Sequence, residues 1–526
     1  MENFNKINFF GKYFRLAFLF IVLMEIFSYG AYLYPFFNPV VFFTILFFAL
    51  ILSLNKLECG VYILLAELFI GSKGYLFSLP YNGLDLSLRM GLFLIVMSVW
   101  LAKIVFKLRQ SDNLKKAVPF LNSKFRFFYF LLFVFLVLSL ISGVIRGNSF
   151  VNIFFDFNGW LYLFLILPFF GAIKGKEQIV NIFQILFASL LVLGLKTIFL
   201  FYIFSHQITI AMPSFYYWTR KSGLGEVTML NLNFYRVFFQ SQIYSLIGFF
   251  VIFPVFIKRI LEKRREAFRL FDFLLLCGIS LLISFSRSFW AGLLFGAMVL
   301  LIIFKFYFKE RWKIFFKTIY YLAAIFLISL FLIVFLINFP EKGVIADDFG
   351  SLIQRRIIDA TQESAGRSRI DLLPPLFKAI IKHPVLGSGF GAAVTYKSSD
   401  PRILETNKDG WHTTYAFEWG YLDLWLKIGL LGLLIYFCLI WLIFKTGWDK
   451  IKNLKFEIQN NIKIQDSSIQ NTGQDLIFGM LMGLLALLAT NFFSPYLNHP
   501  LGIGYLMLCS VIFERLSNQQ FNNRTI

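Results

Sequence analysis

The sequence predicts an all-α polytopic membrane protein, with about 12–14 transmembrane helices and one large, partly helical outer loop. Three observations carry that expectation. The chain is 58% hydrophobic and holds 71 phenylalanines in 526 residues, more apolar surface than a soluble fold of this size buries. Apolar windows near 20 residues recur along its whole length, each able to cross a hydrocarbon layer of ~30 Å as a helix. The basic residues collect in short connections that fall on one side of the resulting alternation.

The first window, Phe14 to Tyr34, is too long for a signal-peptide core and has no small-residue cleavage site after it, so it reads as the first span. Spans are expected to begin near Phe14, Pro39, Val61, Leu86, Arg126, Asn152, Gln178, Val237, Leu270, Ser288, Thr318, Tyr421, Leu476 and Leu501. The second, third, ninth and last two are short enough to be tilted or half-crossing. Lys6, Lys12 and Arg15 open the chain, and Lys107, Arg109, Lys115, Lys116 and Lys124 fill the fourth connection. Lys258, Arg259, Lys263, Arg264, Arg265 and Arg269 form the densest cluster, followed by Lys305, Lys309, Arg311 and Lys313, then Lys445, Lys450, Lys452 and Lys455. All of these lie on one side of the alternation, which makes that side cytoplasmic and puts both termini inside. The net charge of +21 is therefore a topology signal and a contact with anionic membrane lipids, and no nucleic-acid partner is expected.

Four segments follow: N-terminal spans over 1–205, central spans with arginine-bearing outer ends over 206–338, an outer catalytic loop over 339–420, and C-terminal spans over 421–526. The last contains a cytoplasmic polar insert, 446–475, rich in Gln and Asn and read as flexible. The outer loop is too long for a mere connection and balances ten basic against ten acidic residues.

The stretch LLISFSRSFWAGLL places Arg287 in an apolar run whose flanking basic clusters must both be cytoplasmic. A single helix over the 32 residues between Asp272 and Lys305 would be ~48 Å long and leave its ends on opposite sides. A hairpin resolves both conflicts, with SFSRSF as its outer tip. Arg287 then either snorkels to a lipid phosphate or offers its planar fork of donors to a diphosphate.

The four cysteines are scattered without a C-x-x-C pair, and His206, His383, His412 and His499 map to outer loops or outer span ends with no metal-ligand spacing. No metal site and no cofactor are expected. In GRSRIDLLPPLFKAIIKHPVLGSGFGAAV, a polar lead-in precedes a short amphipathic helix from about Pro375 to Lys382, stopped by His383-Pro384. The turn Gly387-Ser388-Gly389-Phe390-Gly391 follows; it lacks the strand-to-helix context of a dinucleotide site and reads as a tight turn.

This arrangement resembles the signature of the O-antigen ligase and O-antigen polymerase superfamily: an arginine, a small helix, a turn of the form hP-x-x-G-x-G-x-G, a histidine, and a G-x-x-G span. The matching residues are Arg369, His383-Pro384, Gly387, Gly389, Gly391, His412, and Gly429 with Gly432. SFSRSFW is similar to the family's hairpin tip and NFYRVFFQSQ to the arginine opening the preceding span, which singles out Arg287 and Arg236. The resemblance covers roughly residues 230–445. It implies metal- and nucleotide-independent glycosyl transfer at the periplasmic face of a bacterial inner membrane, from an undecaprenyl-diphosphate-linked glycan to an acceptor hydroxyl on a glycan or on lipid A–core. Chain-length regulators or other envelope polysaccharide assembly proteins are the implied protein partners. Arg236, Arg287 and Arg369 are the expected diphosphate-binding residues.

The acceptor hydroxyl needs a base, and here the sequence departs from the family. Counting back the usual eleven residues from Gly429 lands on Glu418, and His412 lies six residues earlier. Either His412 reaches the site through an extended helix start, or Glu418 acts as the base. The departure favours polymerase over ligase. A lipid-linked oligosaccharide flippase is the alternative from another class, and it would need several charges lining a cavity. The intramembrane charges are Glu25, Glu67, Asp156, Lys196, Asp423 and Lys427.

Overall fold

The computed structural model describes residues 8–81, 84–110, 113–230, 234–307, 311–340, 364–460 and 467–522. Every expected span falls on a helix. In chain order these are α1 (Lys12–Leu33), α2 (Phe37–Asn55), α3 (Leu57–Ile70) and α4 (Leu88–Gln110), then the short α5 (Leu114–Ala117) and α6 (Arg126–Ile145). One bent crossing follows, made of α7 (Phe150–Leu161), a 3₁₀ turn and α8 (Ile166–Ala172), and then α9 (Lys176–Ser205). After the short α10 (Met212–Lys221) come α11 (Ile243–Leu261), α12 (Glu266–Ile283), α13 (Arg287–Tyr307) and α14 (Arg311–Asn338). The C-terminal part holds α15 (Ser364–Lys382), α16 (Pro401–Thr406), α17 (Gly420–Asn460), α18 (Ser467–Thr490) and α19 (Pro500–Asn522).

Eleven of these crossings are long and apolar enough to span a bilayer. The other three expected spans are α3, α12 and α19. At 14 residues α3 reaches only ~21 Å, and its Val61, Leu64, Leu65 and Leu68 are packed inside protein. The centre of the bundle is α11, with 89% of its apolar window buried, packed on α18 and α12; at the edge, α2 has only 17% of its window buried. Helices that are apolar all round belong either inside a bundle or against lipid, and both cases occur here.

Three antiparallel hairpins decorate the connections: β1 (Ser78–Tyr81) with β2 (Leu84–Ser87), β3 (Gly225–Met229) with β4 (Tyr235–Phe239), and β5 (Val394–Lys397) with β6 (Trp411–Thr414). They correct two sequence expectations. The span expected at Val237 starts later, because YRVFF alternates Val237 and Phe239 inward and forms a strand instead. His412 lies on β6, so the start of α17 at Gly420 is not extended to reach it. The amphipathic helix of the outer loop is also longer than expected. It begins at Ser364 and carries Pro374 and Pro375 inside, held by Leu372, Leu376 and Ile380 in a small core with Phe417 and Leu426. The polar insert 446–475, expected to be flexible, has helix on both sides: α17 runs to Asn460 and α18 starts at Ser467.

The intramembrane charges are paired. Lys196 Nζ meets Glu25 Oε1 at 2.5 Å, joining α9 to α1. Arg89 grips Glu67 with two donors, at 2.9 and 3.0 Å, and gives a third to the Ser72 carbonyl. Lys427 Nζ lies 2.6 Å from Asp156 Oδ1 and 2.8 Å from Asp423 Oδ1. A desolvated ion is tolerable only with its partner in place. Replacing Lys196 alone by Met should therefore destabilise the detergent-solubilised protein by about 3–5 kcal/mol, and Glu25→Leu added to it should restore most of the loss. Thermal melts of the single and double variants check this; equal melts for the single variant and wild type would show the pair to be energetically idle.

Candidate functional site

Two neighbouring groupings make the site. The first is the tip between α12 and α13. Ser284, Phe285 and Ser286 turn the chain, with Phe285 at a φ of +45° and packed on Phe234 and Trp290. Arg236, on β4, donates its Nε to the Ser284 carbonyl at 2.9 Å, stacks its guanidinium over Phe238, and lies 3.7 Å from Glu226 across the hairpin. Arg287 is the first residue of α13, three positions beyond the carbonyl that Arg236 holds. Ser286, Ser288 and Ser494 form a hydroxyl chain beside it, with links of 3.0 and 2.9 Å.

The second grouping rests on a break in α17. Gly429 has φ +72° and ψ 174°, which interrupts the helix about 14 Å from its start. The freed backbone groups are taken up by the glycine turn. Leu430 N–H donates to the Pro384 carbonyl at 2.9 Å and Leu431 N–H to Val385 at 3.2 Å, while Ser388 and Gly389 donate to the Leu426 and Lys427 carbonyls. Gly387, Gly389 and Gly391 all have φ near +80°, and each lies where a Cβ would strike a neighbour: the Gly429 nitrogen at 2.5 Å, the Gly143 nitrogen at 2.3 Å, and Ile153 at 2.8 Å. Only glycine satisfies both the dihedral and the approach. Ser139 and Asn148 complete the seat, with Arg146 donating to the Gly387 carbonyl at 2.6 Å.

The paired charges of α17 serve the same seat. Asp156 accepts from the Gly391 N–H at 2.8 Å and from Lys427; Asp423 accepts from Lys427 and, at 2.6 Å, from Asn498. Ahead of α17, Arg369 on α15 is ion-paired with Glu418, and the Trp419 indole donates to the Arg369 carbonyl at 3.0 Å. His412 faces Tyr396 edge-on, with ring centres 5.9 Å apart, and the Tyr396 hydroxyl lies 2.9 Å from that of Ser368, the neighbour of Arg369. His412, Arg369 and Glu418 thus share one neighbourhood.

The connection from α18 to α19, NFFSPYLNH, joins the two groupings. Ser494 bonds Ser288 at the tip, Phe493 packs on Trp419, and Asn498 bonds Asp423. Tyr496 donates to the Gln240 carbonyl at 3.2 Å and packs on Phe289. His499 is half-buried and accepts from the Leu501 N–H; burial pushes its pKa down, with Arg89 and Lys73 adding to the effect. Among the described residues, no three His, Cys, Asp or Glu side chains gather as metal ligands.

Residues 273–437 match the sequence profile of the family described as O-antigen ligase. That segment, 165 of the 526 residues, supports membership of the superfamily. Its activity class is that of an O-antigen-ligase-type membrane glycosyltransferase. Comparisons with curated proteins and with solved structures return no match. The ligase-family segment begins in α12 and ends in the second half of α17, so it contains the tip, the glycine turn, Arg369, His412 and Glu418; Arg236 and the NFFSPYLNH connection lie outside it. The structure brings Arg236 to the tip that opens with Arg287, and it brings Arg369 to Glu418. NFFSPYLNH was not legible as a junction from sequence alone. Its only local signal is a proline and a histidine between two spans.

Gly147 offers a control for the glycine turn, since its φ is +71° but a Cβ there meets nothing within 4 Å. Gly147→Ala should cost only the left-handed penalty, about 1–2 kcal/mol, while Gly389→Ala should cost clearly more and expose the turn to protease. Thermal melts and limited proteolysis of the two variants separate the effects. For His499, a depressed native pKa means that the unfolded chain binds the extra proton. Stability should then fall as pH drops below about 6.5, by up to about 1.4 kcal/mol per unit. His499→Gln should flatten that slope in melts taken at successive pH values.

Proposed function

We propose that this protein moves an oligosaccharide or polysaccharide from undecaprenyl diphosphate to an acceptor hydroxyl, at the membrane face that carries the Arg287 tip. In a bacterial inner membrane with both termini cytoplasmic, that face is the periplasmic one. The sugar C1–O bond to diphosphate breaks, a bond from C1 to the acceptor oxygen forms, undecaprenyl diphosphate leaves, and the acceptor proton passes to a base.

The observation that carries this reading is the docking of Arg236 on the tip that opens with Arg287. Two guanidiniums at the head of α13 offer planar forks of donors of the kind that suit a phosphate or diphosphate. A leaving diphosphate supplies that anion, in a poorly hydrated place where positive charge is most effective. For Arg369, expected from the sequence to bind diphosphate, we propose a positioning part as well. Its pairing with Glu418 and the Trp419 bond to its carbonyl support a role in fixing the start of α17. Because that pairing engages the Glu418 carboxylate, we assign the base to His412. Its departure from the family's histidine spacing supports an acceptor on the next repeat unit, as for a polymerase, over lipid A–core.

The test is complementation of a strain lacking the protein, with lipopolysaccharide and carrier-lipid fractions run separately on glycan gels. Loss of the ladder with single units left on the core means polymerase; long chains stranded on the carrier above a bare core mean ligase. Unextended units trapped on the cytoplasmic face would replace the enzyme by a transporter. Arg236→Ala and Arg287→Ala should each lower transfer about 10²-fold or more while the protein still inserts and melts normally. His412→Ala should be inactive and Glu418→Gln active. Wild-type ladders from both arginine variants would remove the diphosphate site.

A further inference from the structure

A cleft of about 510 Å³ opens on the opposite face from the Arg287 tip, where α2, α3, α4, α8 and α9 end or begin. Lys56, Lys103, Lys107 and Lys174 line it, against two carboxylates, Glu58 and Glu177. Among the described residues, none of the four lysines is ion-paired. Lys103 donates to the Ser53 carbonyl at 3.0 Å, which fixes its ammonium at the wall of the cleft. Lys107 and Lys174 are close enough to repel that ammonium. Elsewhere in this bundle buried cations sit against carboxylates, so four lysines around one cleft leave a positive potential that an anion would relieve.

The surroundings say what kind of anion. Beside the cleft, Leu52 and Leu54 of α2 and Leu101, Val105 and Phe106 of α4 are exposed and apolar, as lipid-facing residues are. An acyl chain can lie along them while a headgroup occupies the cleft. We propose that this cleft holds the phosphodiester of an anionic phospholipid from the leaflet on the basic side of the membrane, with Lys103 as its inner contact and Lys56, Lys107 and Lys174 around it. The site lies at the opposite ends of the crossings from the Arg287 tip, so it binds a resident lipid and not the glycan donor. It ties α2 and α4, with only 17% and 28% of their apolar windows buried, to the centre of the bundle.

The experiment uses the full chain purified in mild detergent and native mass spectrometry with dioleoyl phosphatidylglycerol or dioleoyl phosphatidylcholine. Wild type should retain phosphatidylglycerol through delipidation and lose phosphatidylcholine. The triple variant Lys103→Gln, Lys107→Gln, Lys174→Gln should retain phosphatidylglycerol about tenfold less well. A control variant on the same face, Lys263→Gln, Arg264→Gln, Arg265→Gln, should retain it as wild type does. Thermal melts confirm that both variants are folded. Equal retention by the triple variant and wild type, or equal retention of the two lipids, overturns the site. Displacement of phosphatidylglycerol by millimolar inorganic phosphate or glycerol phosphate would overturn the lipid and assign the cleft to a free phosphate.

Discussion

The break of α17 at Gly429 is the constraint on which the site depends. Within hydrocarbon an interrupted helix leaves carbonyls and N–H groups that no water can satisfy, so such a break survives only where protein supplies the partners. Here the partners come from the loop between α15 and β5, through the Pro384 and Val385 carbonyls and the Ser388 and Gly389 N–H groups. The outer loop is therefore not a cap resting on a finished bundle. Its glycine turn is threaded between α6, α7 and α17, at distances that exclude any side chain. Asp156 completes the seat by holding the Gly391 N–H with one oxygen and Lys427 with the other.

The same principle organises the charges. Glu25 with Lys196, Glu67 with Arg89, and Lys427 with Asp156 are closed by short contacts between different crossings, and Asp423 adds a second partner for Lys427 from the same helix. A cavity that carried a charged cargo across the membrane would need its ionisable groups accessible and able to exchange partners. These groups instead join elements of the bundle to one another. Arg236 belongs to a different set of contacts: it bonds the Ser284 carbonyl, stacks over Phe238 and lies 3.7 Å from Glu226.

Much of this was legible in the sequence, for reasons of scale. Hydropathy windows register a crossing because each needs some 20 apolar residues, and all the expected spans met a helix. The hairpin at Arg287 followed from two basic clusters that had to share a side, and the structure turns the chain at Ser284–Ser286. What a window cannot register is pairing between distant positions. Asp156, Gly391, Lys427 and Asn498 meet in space but are separated by up to 342 positions, and none is unusual in its own stretch. The glycine turn was read as a turn, but not as the repair of a helix 40 residues further on. Strand β4 was read as helix because its aromatic, β-branched residues are apolar enough to extend a neighbouring window. Pro374-Pro375 was read as a helix start because prolines are most at home there, whereas the packing of Leu372, Leu376 and Ile380 carries the helix through them.

The relation between the two groupings follows from NFFSPYLNH. The arginine tip is anchored to α11, α12 and α13, and the His412 neighbourhood is anchored to α15 and the head of α17. A transfer reaction needs leaving group and base held in fixed positions about one sugar carbon. Ser494 bonds the tip, Phe493 packs on Trp419, and Asn498 holds Asp423 in the first half of α17, all within six residues of one connection. The break at Gly429 makes this coupling effective, because it frees the nine residues ahead of it from the axis of the longer second half. The head of α17 takes its direction from Asn498, from the Arg369–Glu418 pair and from the glycine turn. The spacing between the Arg287 tip and the His412 neighbourhood is thus set by contacts among these connecting segments, and the long crossings serve to hold those segments in place.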